Sequence, residues 1–330
     1  SLMNKYPAPL PWQREQWQQL YRAHQEARLP HALLLLGQAG LGKALLADHF
    51  AKTLLCKQPI KEGFACQHCR NCDLVAANTH PDLGYLAPEK SGQGIKIDAI
   101  RSLIEKLNRT TQAAYKIVII NPADSLLLAA SNALLKSLEE PSDRVLFILI
   151  TEKIERLLPT IRSRCQVIRF SPPQKALAMP WLASQLPEST ALDKLYQLSA
   201  GSPLQALAYA QSDYYQFYID LLNTLSALWH QEIDPVSCAS HYLKNDVGQL
   251  LTSLLRLTTE LIKCQLLRGY VALDPALSRL AKSLTTPFLF EYFDSLIALQ
   301  THLHKVTLNA QLMGEALFSC WALRGVKHVS

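Results

Sequence analysis

No run of apolar residues in this 330-residue chain is long enough to cross a bilayer as a helix, which needs about 20 in a row, and no signal-peptide pattern opens it. Together these absences predict a cytoplasmic protein without a membrane partner. Ser1 and Leu2, ahead of the first methionine at Met3, read as an expression remnant and are set aside. A strong excess of charge of one sign is also lacking. The 33 Lys and Arg residues against 27 Asp and Glu leave a net +6, which permits contact with nucleic acid but does not require it. Internal repeats and low-complexity segments are absent. With 49% apolar and 18% charged residues, the composition is that of a globular protein of two or three domains.

A missing hydroxyl is more telling. Gly37-Gln38-Ala39-Gly40-Leu41-Gly42-Lys43-Ala44 has the glycines and the lysine of a phosphate loop, G-x-x-x-x-G-K-[ST]. Glycines let backbone N–H groups close around phosphate, and the lysine neutralises charge. The following Ser or Thr holds Mg²⁺, and Ala44 has no oxygen for it. The apolar run Ala32–Leu36 ahead of the loop reads as a buried strand, and the segment from Lys43 as a helix.

Acids are missing too. In nucleotidases of this kind a second strand ends in carboxylates that hold Mg²⁺ and activate water. The matching strand, Lys116–Ile120, runs into Asn121 and Pro122, and neither can do that work. Asp124, two residues on, reads as an N-cap for the next helix. Two losses in one centre point to an ATPase site that no longer turns over. Lys43 and the glycines leave weak or vestigial phosphate binding open.

Eight cysteines suggest disulfides until their placement is read. Cys66, Cys69 and Cys72 fall within seven residues and Cys56 lies just upstream. Four thiolates close a tetrahedral Zn²⁺ and leave no position for water or substrate, so the predicted metal is structural. His68 is a competing ligand placed between two cysteines. Cys165, Cys238, Cys264 and Cys320 are scattered through apolar segments and read as small buried hydrophobes in a reduced compartment.

Strands and helices alternate up to about residue 170, which predicts a parallel sheet covered on both faces. The predicted strands are Ala32–Leu36, Pro81–Leu86, Lys116–Ile120, Val145–Ile150 and Gln166–Phe170; the helices include Trp12–Arg28, Ile97–Asn108 and about Ser125–Glu140. After Ser171-Pro172-Pro173 only helical periodicity remains. Lys175–Gln185, Ala191–Ser199 and Pro203–Ala210 would form a small three-helix unit. Longer helices follow at about Tyr214–His230, Asp246–Leu267, Pro275–Leu284, Pro287–His304 and Ala310–Arg324.

Three further features complete a set: Asn132-Ala133-Leu134-Leu135-Lys136-Ser137-Leu138-Glu139-Glu140-Pro141, Ser163-Arg164-Cys165, and Gly201-Ser202-Pro203-Leu204-Gln205-Ala206-Leu207. In order with the degenerate phosphate loop and the four-cysteine insertion, they resemble the clamp-loader branch of the AAA+ ATPases along the whole chain. The resemblance implies an α/β AAA+ core over residues 1–170 with a zinc-binding insertion at about 56–72. A small helical lid over 171–212 and an all-α collar over 213–330 would follow. It implies that Arg164 is an arginine finger reaching a neighbouring subunit's ATP, and that Thr151 stands at the sensor-1 position. Leu204 replaces the sensor-2 arginine of active members, a third loss at the same site.

The implied function is that of a non-hydrolysing subunit of a bacterial DNA polymerase III clamp loader. Its partners would be the ATPase subunits (gamma/tau) and the delta subunit, and, through the complex, the sliding clamp and primer–template DNA. Two other functions remain open at this stage. One is an active AAA+ ATPase relying on Lys43 and Asp124. The other is a zinc-dependent DNA-binding module, although Lys57, Lys61 and Arg70 are few cations for that task.

Overall fold

A computed structural model describes residues 5–90, 93–108, 114–142, 144–188, 190–244, 246–302 and 310–326. The chain divides into two compact units, Ser1–Ala208 and Tyr209–Ser330. The three small helices after the sheet fall in the first unit, except for Tyr209 and Ala210 at the end of the third.

The first unit is built on five parallel strands, β1 (Ala32–Leu36), β2 (Leu83–Leu86), β3 (Lys116–Ile120), β4 (Val145–Thr151) and β5 (Gln166–Arg169), in the order β2-β3-β4-β1-β5. Side chains alternate between its two faces. Leu33, Leu35, Ile117, Ile119, Ile148 and Ile150 pack under α1 (Arg14–Gln25) and α2 (Lys43–Leu55). A short helix, α3 (Arg70–Ala76), lies beyond α2. On the other face Leu34, Val118, Ile120, Phe147 and Leu149 meet α4 (Ile97–Asn108), α5 (Leu128–Glu139) and α6 (Pro159–Arg162). Burial on both faces explains why the strands are continuous apolar runs. After β5 come α7 (Lys175–Gln185), α8 (Leu192–Leu198) and α9 (Pro203–Ala210), the last reaching the boundary between the units.

The second unit is helical throughout its described residues: α10 (Tyr214–Trp229), α11 (Pro235–Tyr242), α12 (Val247–Leu266), α13 (Pro275–Ser283), α14 (Thr286–His302) and α15 (Ala310–Val326). The end expected for α14 at His304 lies outside the described residues. Aspartates at 234, 246 and 274 cap α11, α12 and α13 by accepting from the backbone N–H of Ser237, Gly248 and Ala276 at 2.7–2.8 Å. Trp229, Phe288 and Trp321 form an aromatic centre, with rings 5.1 Å apart for Phe288 and Trp321. No described helix is long and apolar enough to cross a membrane.

One half-buried acid costs the first unit stability. Asp48 on α2 accepts from the Tyr85 hydroxyl at 3.0 Å, yet burial raises its carboxyl to about 6 against that hydrogen bond. A carboxyl whose folded-state pKa is raised binds its proton more tightly when folded, so stability falls as pH rises from about 4 through about 6. Asp48→Asn keeps an acceptor for Tyr85 and removes the charge. It should stabilise the unit by roughly 1–2 kcal/mol at pH 7.5, and the gain should vanish below about pH 4. Denaturant melts of both proteins at pH 4 and 7.5 check this.

Candidate functional site: a crowded phosphate loop, a cysteine cluster and an arginine on the far edge

Because all five strands are parallel, Gly37 after β1, Asn121 after β3 and Glu152 after β4 share the carboxyl edge of the sheet, where α/β folds bind ligands. The phosphate loop leaves β1 with the Gly37 N–H donating to the Thr151 carbonyl at 3.3 Å. Gly40 and Gly42 have φ of +78° and +81°, values glycine adopts without strain.

The chain's own groups crowd this loop. A Cβ on Gly40 would fall 2.5 Å from the Cβ of Gln205, and one on Gly42 would fall 2.6 Å from Nε2 of Gln13. The Leu204 N–H donates to the Gly40 carbonyl at 3.1 Å. Gln13 donates to the carbonyls of Leu41 and Gly42 at 2.9 and 2.8 Å, and the Trp12 indole donates to Leu41 at 3.0 Å. Gln38 donates to the Ala200 carbonyl and the Ser202 hydroxyl. Lys43 is buried and turned back, donating to the carbonyls of Gly37 and Gln38 at 2.6 and 2.7 Å. Burial lowers its pKa, opposed by the charges of Glu152 and Asp124.

Asp124 is not the helix cap expected of it. It lies in a short 3-10 turn, Ala123–Ser125, and α5 starts three residues later with Leu127 at its N-cap. Its carboxylate accepts from Thr151 Oγ1 at 2.6 Å, and the Thr151 hydroxyl oxygen accepts from the Lys153 N–H at 3.0 Å. The pairing spans 27 residues, so no local pattern announces it. Asn121 and Pro122 are exposed.

Arg164 stands elsewhere. It precedes β5, on the amino edge of the sheet, while the phosphate loop follows β1 on the carboxyl edge. Its side chain is one-third exposed and its guanidinium doubly held. Nη1 donates to the Thr160 carbonyl at 3.0 Å and Nη2 to Glu139 Oε1 at 2.7 Å.

The cysteines converge as their spacing predicts. The sulfurs of Cys56, Cys66, Cys69 and Cys72 all lie within 4.8 Å of one another. The pairs Cys56–Cys69 and Cys66–Cys72 are 3.9 Å apart, too long for disulfides. They are close to the ~3.8 Å edge of a tetrahedron with metal–sulfur bonds of about 2.3 Å. The donor set and its spacing thus fit a metal ion. Burial opposes ionisation of Cys69, but hydrogen bonds from the Lys57 and Cys72 backbone and from the Cys72 and Cys66 thiols pull it down to about 6. The loop is tied to α1 by Trp17, which donates to the Glu62 carbonyl, and to α2 by Asn71, which donates to the Leu55 carbonyl at 2.6 Å. A groove of about 620 Å³ between α4 and α5, lined by Ile97, Arg101, Ile104 and Lys136, holds none of the predicted site residues.

Comparison with known proteins decides the family. The family described as DNA polymerase III, delta subunit, matches residues 12–174. A DNA polymerase III subunit delta' from Yersinia pestis is 32% identical over 300 residues, covering 88% of this chain and 86% of that protein. The chain belongs to the DNA polymerase III delta' family.

Relatives of that name from Pseudomonas aeruginosa and Escherichia coli are 45% and 43% identical over 199 and 209 residues. These matches cover 59% and 62% of this chain, and span 60% and 62% of those proteins' lengths. Among solved structures, a Thermotoga maritima DNA polymerase III gamma subunit-related protein overlays with a TM-score of 0.44 and 16% identity, covering 94% of this chain and 99% of that one. At that level the overlay adds nothing to the family assignment. Within the delta' family frame, the residues that sequence reasoning missed are Gln13 and Gln205, which pack against the loop, and Glu139, which holds Arg164. Their contacts are long-range, between segments whose local patterns are ordinary.

Proposed function

We propose that this chain is a non-hydrolysing clamp-loader subunit of a DNA polymerase III complex. It would act in the cytoplasm and supply Arg164 to the ATP of a neighbouring subunit. The observation that carries the reading is the separation of Arg164 from the chain's own phosphate loop by the length of the sheet. A guanidinium on the amino edge cannot serve a nucleotide on the carboxyl edge of the same molecule, so any phosphate it serves belongs to another chain. The loop supports the same reading from the other side. Its hydroxyl, its two acids and its sensor-2 arginine are replaced by Ala44, Asn121, Pro122 and Leu204, and Gln13, Leu204 and Gln205 pack against the glycines.

On this reading residues 171–212 act as the lid and 213–330 as the collar that joins the gamma/tau ATPase subunits and the delta subunit. The assembly opens the sliding clamp and places it on primer–template DNA. The cysteine cluster holds one structural Zn²⁺, and its four thiolates saturate the metal, leaving it no part in chemistry.

An active ATPase draws on one specific observation, the acids Glu152 and Asp124 close enough to Lys43 to favour its charge. Hydrolysis by the isolated chain separates the two readings. With ATP and Mg²⁺ in excess, turnover should stay at background and be unchanged by Lys43→Ala, because the electrostatic contributions that dominate catalysis are missing together. Turnover that disappears with Lys43→Ala would establish the active ATPase instead. Nucleotide binding without turnover fits the proposal.

A further inference from the structure

We propose that Glu139 is a positioning residue for Arg164. Its carboxylate would hold the guanidinium in the conformation from which it reaches the neighbouring chain's nucleotide. This rests on the reading of Arg164 as a group supplied in trans.

Both tethers on the guanidinium are anchored in the core. Thr160, whose carbonyl accepts from Nη1, sits in α6 beside Ile161, which is fully buried. Glu139, which accepts from Nη2, ends α5 beside the buried Leu138, whose own carbonyl is hydrogen-bonded to His31 Nε2 at 3.1 Å. The chain thus fixes an arginine at its free end from two helices, one of them a single turn. An arginine carries large rotamer entropy, and one that is tethered before assembly has less to lose when it docks.

Two features separate a brace from a trap. A guanidinium has five N–H donors, and the two tethers engage one on each Nη, leaving three for an incoming acceptor. Glu139 is also half-exposed and binds through one oxygen, so the pair is a screened surface contact that leaves the rest of the fork open to a phosphate. The position argues for a purpose. Glu139 occupies the last turn of α5, where the helix dipole disfavours a carboxylate. The ion pair with Arg164 offsets that cost.

The test is steady-state ATP hydrolysis by the reconstituted clamp loader with clamp and primed DNA, using wild type, Glu139→Ala, Glu139→Gln, Arg164→Ala and the Glu139→Ala/Arg164→Ala pair. Glu139→Ala should lower the Arg164-dependent rate about five-fold, as expected for a misplaced catalytic group. Glu139→Gln places a neutral acceptor at the same point and should restore most of the rate. In the Arg164→Ala background, Glu139→Ala should add nothing, the non-additivity expected of residues acting as a unit. An unchanged rate for Glu139→Ala beside a slow Arg164→Ala overturns the role of Glu139 alone. A faster rate makes Glu139 a trap, and an equal fall in the Arg164→Ala background makes its role structural; each overturns the proposal. Wild-type rates for Arg164→Ala remove the underlying reading instead. Should Glu139→Ala fold poorly by circular dichroism, Glu139→Asp, with its carboxylate drawn back by one methylene, replaces it and should give a smaller fall.

Discussion

Arg164→Ala is expected to leave this chain folded and able to assemble, while one ATP site of the reconstituted loader falls silent. Folding should survive because the side chain is one-third exposed and its tethers are a surface ion pair and one carbonyl, interactions of small net worth. Assembly should survive if its contacts lie mainly in the helices beyond Ser212. The chemical effect is of another order. An arginine supplied in trans stabilises charge on the transferring phosphate and is worth about 10³–10⁵ in rate at the site it serves. The loss should therefore appear as the disappearance of one site's contribution to steady-state hydrolysis, with slower clamp loading. Arg164→Lys should rescue poorly, since an ammonium keeps the charge but loses the planar fork. Equal hydrolysis by complexes carrying wild type, Arg164→Ala and Arg164→Lys would take Arg164 out of the mechanism and leave the chain a structural role.

What could be read from the sequence follows from how local each signal is. The strands Ala32–Leu36 and Lys116–Ile120 are observed with the bounds their apolar runs predict, because burial on both faces leaves no competing pattern. The four cysteines converge because their spacing is itself the constraint. Two helices escaped. Arg70–Ala76 is masked by the cysteines flanking and entering it. Pro235–Tyr242 is short, although Asp234 followed by Pro235 is a cap and first-turn signal that could have revealed it. The contacts that define the candidate sites were out of reach for a different reason. Thr151 to Asp124 spans 27 residues, Arg164 to Glu139 spans 25, and Gln13 to the phosphate loop spans 28 or 29. Periodicity and capping rules act within a few residues and are silent at that range. The same limit explains the misreading of Asp124. A local rule assigned it to the nearest helix, while a threonine on a neighbouring strand had the stronger claim.

Removing the metal we assign to Cys56, Cys66, Cys69 and Cys72 should unfold the loop they close and spare the rest of the chain. Elemental analysis of the purified protein should give about one zinc per chain, the number four thiolates saturate. Structural zinc contributes about 10–16 kcal/mol to the folding of small zinc-finger peptides at neutral pH. Here the metal has less ordering to do, because Trp17 and Asn71 already tie the loop to α1 and α2. The ligands must be deprotonated, so affinity should fall as pH drops and protons displace the metal. A strong chelator, or Cys69→Ser, should then strip hydrogen-exchange protection from about residue 56 to residue 76. Protection in β1, β3 and β4 should persist, since the apolar clusters they build include none of the four sulfurs, and so should protection in the second unit, which begins at Tyr209, past all four cysteines. Loss of protection throughout the chain would make the metal a requirement for the whole fold. A zinc-free preparation whose four cysteines alkylate as fast as free thiols would show that the cluster holds no metal.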